Sequence, residues 1–222
     1  MKFFKTLALI VVGAFCLGTA QITTYEVMER MEKQDYVRYS EMLAIQGDTA
    51  FIDLDYIGPD SYTAFKHSIC TCGTAGIKDI RIRMANPGGV IYHMFAIYDL
   101  MMDAKAKFGM HFVTEARGLI ASAAVPIFLA GDTRVCSPNT YFMIHPHSGN
   151  DDLENAYMRG IQIPDSVIKM FKEWTERYAQ IVADNTKMTK LQCIQRMKGT
   201  SNNVYFFNAE EAYNMGFVDG LV

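Results

Sequence analysis

From residue 50 onward the chain alternates between short stretches of period-two hydrophobicity and longer stretches that repeat every three to four residues, and that alternation restricts it to an α/β architecture. Ala50 to Tyr56 places Ile52, Leu54 and Tyr56 on one face and Asp53 and Asp55 on the other, as a strand does. Gly58-Pro59-Asp60-Ser61 is a turn in which Asp60 or Ser61 can cap a helix carrying Phe65 and Ile69. Ile80, Ile82 and Met84 alternate with Arg81 and Arg83 in a second strand, and Asn86-Pro87-Gly88-Gly89 ends it. Ile91, Met94, Phe95, Tyr98, Met101 and Met102 then recur at helical spacing.

The same grammar continues. A short strand around Phe112 to Thr114 runs into Arg117-Gly118, and Ser122 to Ala130 reads as a helix ended by Gly131. Its Pro126 falls near the first turn, where amide hydrogens have no intrahelical partner. Val135 and Tyr141 to His145 read as strands around the Pro138-Asn139 turn. A helical stretch broken at Pro164 follows, with Ile168, Phe171, Trp174, Tyr178 and Ile181 on one face. Thr189 with Gln192, and Asn208 with Glu211, have capping-box spacing and start two further helices. Strands alternating with helices imply a mainly parallel sheet covered on both faces. The helical stretch at about 152–182 has no strand within it and is expected to project from the core.

The first twenty residues differ from the rest. Met1 to Lys5 is a short basic segment, Leu7 to Leu17 is apolar, and Gly18-Thr19-Ala20 closes it with small residues. This is the pattern of a secretory signal peptide over residues 1–20, with cleavage expected after Ala20 and a single domain over 21–222. The apolar run is shorter than the roughly 17–25 residues of a spanning helix. An uncleaved anchor, a lipoprotein acylated at Cys16 and a buried N-terminal helix are the alternatives, although Phe15 is bulky for a lipobox. The expected location is therefore outside the cytoplasm, periplasmic or secreted, with no stable membrane span after cleavage. A net charge of −3 offers no basic footprint for nucleic acid. Cys70-x-Cys72 lacks a second cysteine pair and is a poor zinc signature, so no metal is expected, and no cofactor is expected either.

Three segments have the ingredients of acyl transfer, which needs a nucleophile, a base and donors for the oxyanion. Gly118 to Ala124 joins a strand to a helix and sets the lone hydroxyl of Ser122 among small and apolar residues. Gly88-Gly89 follows a strand at its carboxyl end, where such sheets place their sites and where glycines let backbone amides approach a ligand. His145 ends a strand and has the near-neutral pKa of a natural base, with His147 two residues on. Taken singly, a helix cap and a tight turn are the better readings of the first two, and either histidine could be a surface or structural one.

Their order and company resemble the Clp protease proteolytic-subunit family, within the ClpP/crotonase superfamily. The resemblance rests on Asn86 to Ile91 with Ala96 to Asp99, on Gly118 to Ser122, on Ser137-Pro138-Asn139 with Met143-Ile144-His145, and on Asn208 to Ala212 with Gly216 to Asp219. It implies a repeated β-β-α superhelix with a mainly parallel sheet and a projecting helical handle at about 152–182. It implies further that Ser122 is the nucleophile of a serine peptidase, His145 its base, and Gly89 and Ala123 the residues whose amides form the oxyanion hole. A homo-oligomer acting on extended or unfolded peptides follows from the same likeness.

The sequence also departs from the family. The third catalytic residue, an aspartate just before the Phe206-Phe207-Asn208 segment, aligns with Val204. Asn203 and Asn202 are the nearest polar neighbours, and Asp151 or Asp152 could supply a carboxylate instead. A catalytically impaired pseudo-protease that keeps a peptide-binding groove is the second reading. Two rivals are a crotonase-like acyl-CoA enzyme, disfavoured by export, and a Ser–Lys dyad using Lys169, Lys172 or Lys198. A signal peptide would separate the chain from any cytosolic unfolding ATPase, and the sequence has no phosphate-binding loop of its own.

Overall fold

The computed structural model describes residues 42–146, 163–198 and 204–222. In chain order its elements are β1 (Leu43–Gln46), β2 (Thr49–Asp53), α1 (Pro59–Ala75), β3 (Asp79–Asn86), α2 (Ile91–Phe108), β4 (His111–Ala121), α3 (Ala124–Leu129), β5 (Thr133–Cys136), β6 (Tyr141–Ile144), α4 (Asp165–Asn185), α5 (Lys190–Lys198), β7 (Tyr205–Asn208), α6 (Ala209–Asn214) and β8 (Gly220–Leu221). The strands form one sheet in the order β1-β2-β3-β4-β5-β8, with β6 joined to β4 and β7 to β6. Only β1 with β2 and β6 with β7 are antiparallel, so the sheet is mixed but mostly parallel.

The strand that organises the site is β4. Along one edge it pairs with β3, and along the other it pairs with two strands in succession. Residues 113–116 match β5 and residues 119–121 match β6, on either side of Gly118. The sequence suggests a short strand here because Arg117-Gly118 interrupts the apolar pattern. Eleven residues form instead, since the ladder to β3 continues past the interruption to Asn86 opposite Ile120.

Alternation along β3 is strict. Ile80, Ile82, Met84 and Asn86 are buried, and the intervening residues are exposed. The buried side packs on α1 and α2 through Phe65, Ile69, Met94, Ile97 and Met101. The opposite side is exposed along β3 and half-buried along β2 and much of β4, short of the expected cover on both faces. It carries cross-strand ion pairs, Arg83 with Asp53 at 2.6 Å and Arg81 with Glu115. Arginines at alternate positions cannot be buried without partners, and here they remain half in water, where such pairs contribute little stability. Tyr56 likewise leaves the face it shares in the sequence pattern with Ile52 and Leu54, because β2 stops at Asp53 and the tyrosine ends 54% exposed.

The C-terminal part is cemented by rings. Phe142 of β6 lies 5.5 Å from Phe207 of β7 and 5.4 Å from Phe128 of α3, and Phe207 meets Phe217 at 4.8 Å. All four are buried. Both capping boxes form as the sequence indicates. Asn208 and Glu211 exchange bonds of 2.9 Å at the start of α6, and Thr189 and Gln192 do so at 2.8 and 3.2 Å before α5. Helix α4 begins directly after Pro164 and covers the part of the projecting stretch that is described. Residues 1–20 and 152–162 lie outside the described residues. Among the described residues no helix is long and apolar enough to cross a membrane.

Phe142→Ala removes the ring that the other three share. It is expected to lower unfolding stability by about 3–5 kcal/mol, measured as the shift of a urea unfolding curve.

Candidate active site

The carboxyl ends of three neighbouring parallel strands, β3, β4 and β6, deliver the three segments that the sequence singles out. Asn86 pairs with Ile120, and Ala121 pairs with Met143, so the residues that follow each strand emerge side by side. Side chains leaving one edge of a parallel sheet can converge there because every strand points the same way.

After β4 the backbone makes a sharp turn at Ser122, whose φ is 55°. It is the single non-glycine residue with positive φ among the described residues. This conformation costs a non-glycine residue on the order of 1–3 kcal/mol and persists only where its surroundings over-determine it. Three hydrogen bonds do so. The Ser122 amide donates to the Met143 carbonyl at 2.8 Å, and the Ser122 carbonyl accepts from the Val125 amide at 3.1 Å and from the Tyr178 hydroxyl at 3.1 Å. The helix that follows is shorter than the sequence indicates, running over Ala124–Leu129 rather than from Ser122, and all of it is buried. Ser122 is therefore the corner before the helix and not its cap. With so few residues in α3, negative charge here must be met by individual amides more than by a helix dipole.

Ser122 Oγ lies 2.7 Å from Nε2 of His145, the residue that follows β6. Both side chains are half-buried, whereas Ile120, Ala121, Ala123 and Ala124 on either side of Ser122 in the chain are buried. A hydroxyl at this distance from an imidazole can pass its proton to the ring as it attacks an electrophile.

The glycine turn closes the site from the β3 side. Asn86 is fully buried and uses one end of its amide on the turn and the other on the residue that follows β2. Nδ2 donates to the Leu54 carbonyl at 2.9 Å, and Oδ1 accepts from the Gly88 amide at 2.8 Å. Gly88 packs so tightly on the serine corner that a Cβ there would sit 2.7 Å from both the Ala121 carbonyl oxygen and Ser122 Cβ. At Gly89, φ is 146° and a Cβ would lie 2.0 Å from the Ile57 carbonyl oxygen. Only glycines fit both positions. Among the described residues, the amides of Gly89 and Ala123 donate to no protein acceptor. Two such donors beside a nucleophile are what a developing oxyanion requires.

The third position is different. Strands β6 and β7 pair antiparallel, with Ile144 opposite Tyr205. One further step of that register sets Val204 across from His145, where an isopropyl group can accept no hydrogen bond. Asn202 and Asn203, along with Asp151, Asp152 and His147, lie outside the described residues. The lysine alternatives are not supported by the geometry. Ser122 Oγ bonds to His145, Lys169 faces Glu173 at 3.8 Å with its side chain 77% exposed, and Lys172 and Lys198 are exposed. Cys72, Cys136 and Cys193 are buried free thiols. Burial raises all three, Cys72 to about 11 and Cys193 to about 12, so they remain protonated at neutral pH.

A hydroxyl on a strained strand-to-helix corner, an imidazole in reach of it and a pair of open backbone amides thus meet at one edge of a ClpP-like α/β fold. Residues 69–222 match the family model for Clp protease, and the chain belongs to that family. It is 32% identical over 151 residues to the ATP-dependent Clp protease proteolytic subunit 3 of Rhizobium etli, a match that covers 67% of this chain and 70% of that one. Its identity to the subunit 3 of Rhizobium meliloti is 28% over 155 residues, with the same coverage. In fold it is similar to an asparagine-to-aspartate mutant of ClpP1 from Listeria monocytogenes, with a TM-score of 0.62 at 19% identity over 78% of this chain and 90% of that one.

Sequence reasoning missed Tyr178. It lies 56 residues from Ser122, within an apolar helical stripe that gives no sign of which hydroxyl reaches inward. The dependence of the glycine turn on Asn86 was also hidden, although a polar residue at an inward position of a strictly alternating strand was a usable signal. Asn86→Ala is expected to cost about 2–4 kcal/mol, since the Leu54 carbonyl and the Gly88 amide both lose a buried partner. Thermal unfolding beside the wild type measures it.

Proposed function

We propose that this protein is a serine-type endopeptidase. Ser122 Oγ attacks the carbonyl carbon of an extended peptide while its proton passes to Nε2 of His145. The oxyanion is held by the Gly89 and Ala123 amides, and His145 then gives the proton to the departing amine as the C–N bond breaks. Water, deprotonated through the same imidazole, attacks the acyl-enzyme and releases the acid. The observation that carries this reading is the 2.7 Å contact between Ser122 Oγ and His145 Nε2 beside two open amides. Kinship with Clp protease subunits supports peptides as substrates and a homo-oligomer as the working form. Extended peptides suit it, because main-chain pairing along a strand edge binds them with little regard to sequence. We further propose that it works outside the cytoplasm and independently of a cytosolic ATPase, a reading that rests on the N-terminal sequence pattern alone.

Labelling with an active-site-directed fluorophosphonate tests the chemistry. Wild type is expected to label and to cleave unstructured polypeptides, and Ser122→Ala to do neither. A wild type that stays unlabelled would remove the enzyme reading. Expression of the full chain in a bacterial host with a secretion pathway tests the location, with a mature protein beginning at Gln21 as the expected product.

Val204 favours a second reading, in which the fold binds peptides in an oligomer with little turnover. An aspartate at that position would help orient the imidazole and stabilise its protonated form, and a valine side chain does neither. If that is the deficit, Val204→Asp should raise kcat by at least about tenfold. An unchanged kcat would mean that another group already orients His145.

A further inference from the structure

The peptide unit that joins Ser122 to Ala123 has two ends with two tasks. Its N–H is the Ala123 donor of the proposed oxyanion hole. Its carbonyl oxygen accepts the Tyr178 hydroxyl at 3.1 Å. We infer that Tyr178 is a positioning residue for oxyanion stabilisation, holding and polarising this peptide from helix α4 so that the Ala123 N–H faces the substrate carbonyl.

Three observations support it. The peptide follows Ser122 at the sharp corner, and rotation of its plane about the two flanking Cα atoms would turn the N–H away. The Val125 amide bonds the same oxygen, but it lies only three residues on, in the short helix that continues the corner itself. Tyr178 is anchored separately. It is 1% exposed, on a helix of 21 residues, and its ring is fixed by the core. Burial, and secondarily the neighbouring Cys193, raise its phenol well above the usual tyrosine range, so the group remains a donor at any working pH. A hydrogen bond to a peptide carbonyl withdraws electron density through the amide and makes the N–H at the other end a better donor. In a site where donors aimed at the oxyanion dominate the rate, that effect is directed at the transition state.

The inference rests on the serine-peptidase reading for its kinetic arm, and a second arm is independent of turnover. Serine followed by alanine occurs once in the chain, at 122 and 123, so 13C-carbonyl serine with 15N-alanine labelling isolates this amide in a two-dimensional spectrum of the full protein. In Tyr178→Phe the Ala123 resonance is expected to move, kcat to fall about fivefold to tenfold, and KM to stay within about twofold of wild type. The loss in kcat is smaller than the ~10²–10³ of a deleted oxyanion donor, because the donor is weakened and not removed. A merely structural tyrosine would lower the melting temperature and leave both the amide and kcat in place, which overturns the inference. If wild type proves catalytically silent, the peptidase reading falls and the amide alone decides: a shift keeps the positioning role, its absence ends it. Should the phenylalanine variant fail to fold, 3-fluorotyrosine at 178, a stronger donor of nearly the same shape, is expected to move the Ala123 resonance in the direction of a tighter bond. No movement there also overturns the inference.

Discussion

Parallel pairing of β3, β4 and β6 is the constraint on which the remainder of the site depends. With β4 shared between β3 on one side and β5 then β6 on the other, the chain leaves the sheet three times at one place. A serine corner, a histidine and a glycine turn become neighbours although 23 residues separate the first two. A slip of one residue in either ladder would turn Ser122 or His145 to the opposite face. The ring cluster of Phe128, Phe142, Phe207 and Phe217 guards against that slip, since Phe142 must point inward for the cluster to form.

Within that frame the serine corner is held by opposing demands. Its backbone is strained, yet its amide and carbonyl are satisfied by β6, by α3 and by α4. The turn beside it is closer than any side chain would permit, and a buried asparagine fixes it. Strain, close approach and unpaired donors are each unfavourable to folding and together are what an acyl-transfer site needs. The well-packed sheet and helices around the corner offset them.

Much of this was legible in the sequence because the physics is local. Period-two alternation marked β3, helical spacing marked α2, and two capping boxes marked the starts of α5 and α6, each readable from a few consecutive residues. The approach of Ser122 to His145 came from resemblance and not from spacing, since neither residue carries a mark of the other. What escaped was non-local or contradictory. β4 reads as short from its own pattern, because it is its partner that sustains it. Alternating strands and helices imply cover on both faces of the sheet, although Arg81 and Arg83 at alternate positions point to water. Tyr178 looked like one more residue of an apolar stripe, because a hydroxyl's target 56 positions away leaves no trace in the helix that carries it.

Helix α4 joins two environments. Near its start Ile168 and Met170 are exposed and Phe171 and Trp174 half-buried, the two rings meeting edge to face at 5.5 Å; further on, Tyr178 is sealed in the core against the serine corner. Seven residues of helix separate Phe171 from Tyr178, a span of about 10 Å. A rod of that length has almost no bend in it. Its exposed aromatic end and the hydroxyl that holds the Ser122 carbonyl are therefore carried about two turns apart on one rigid element.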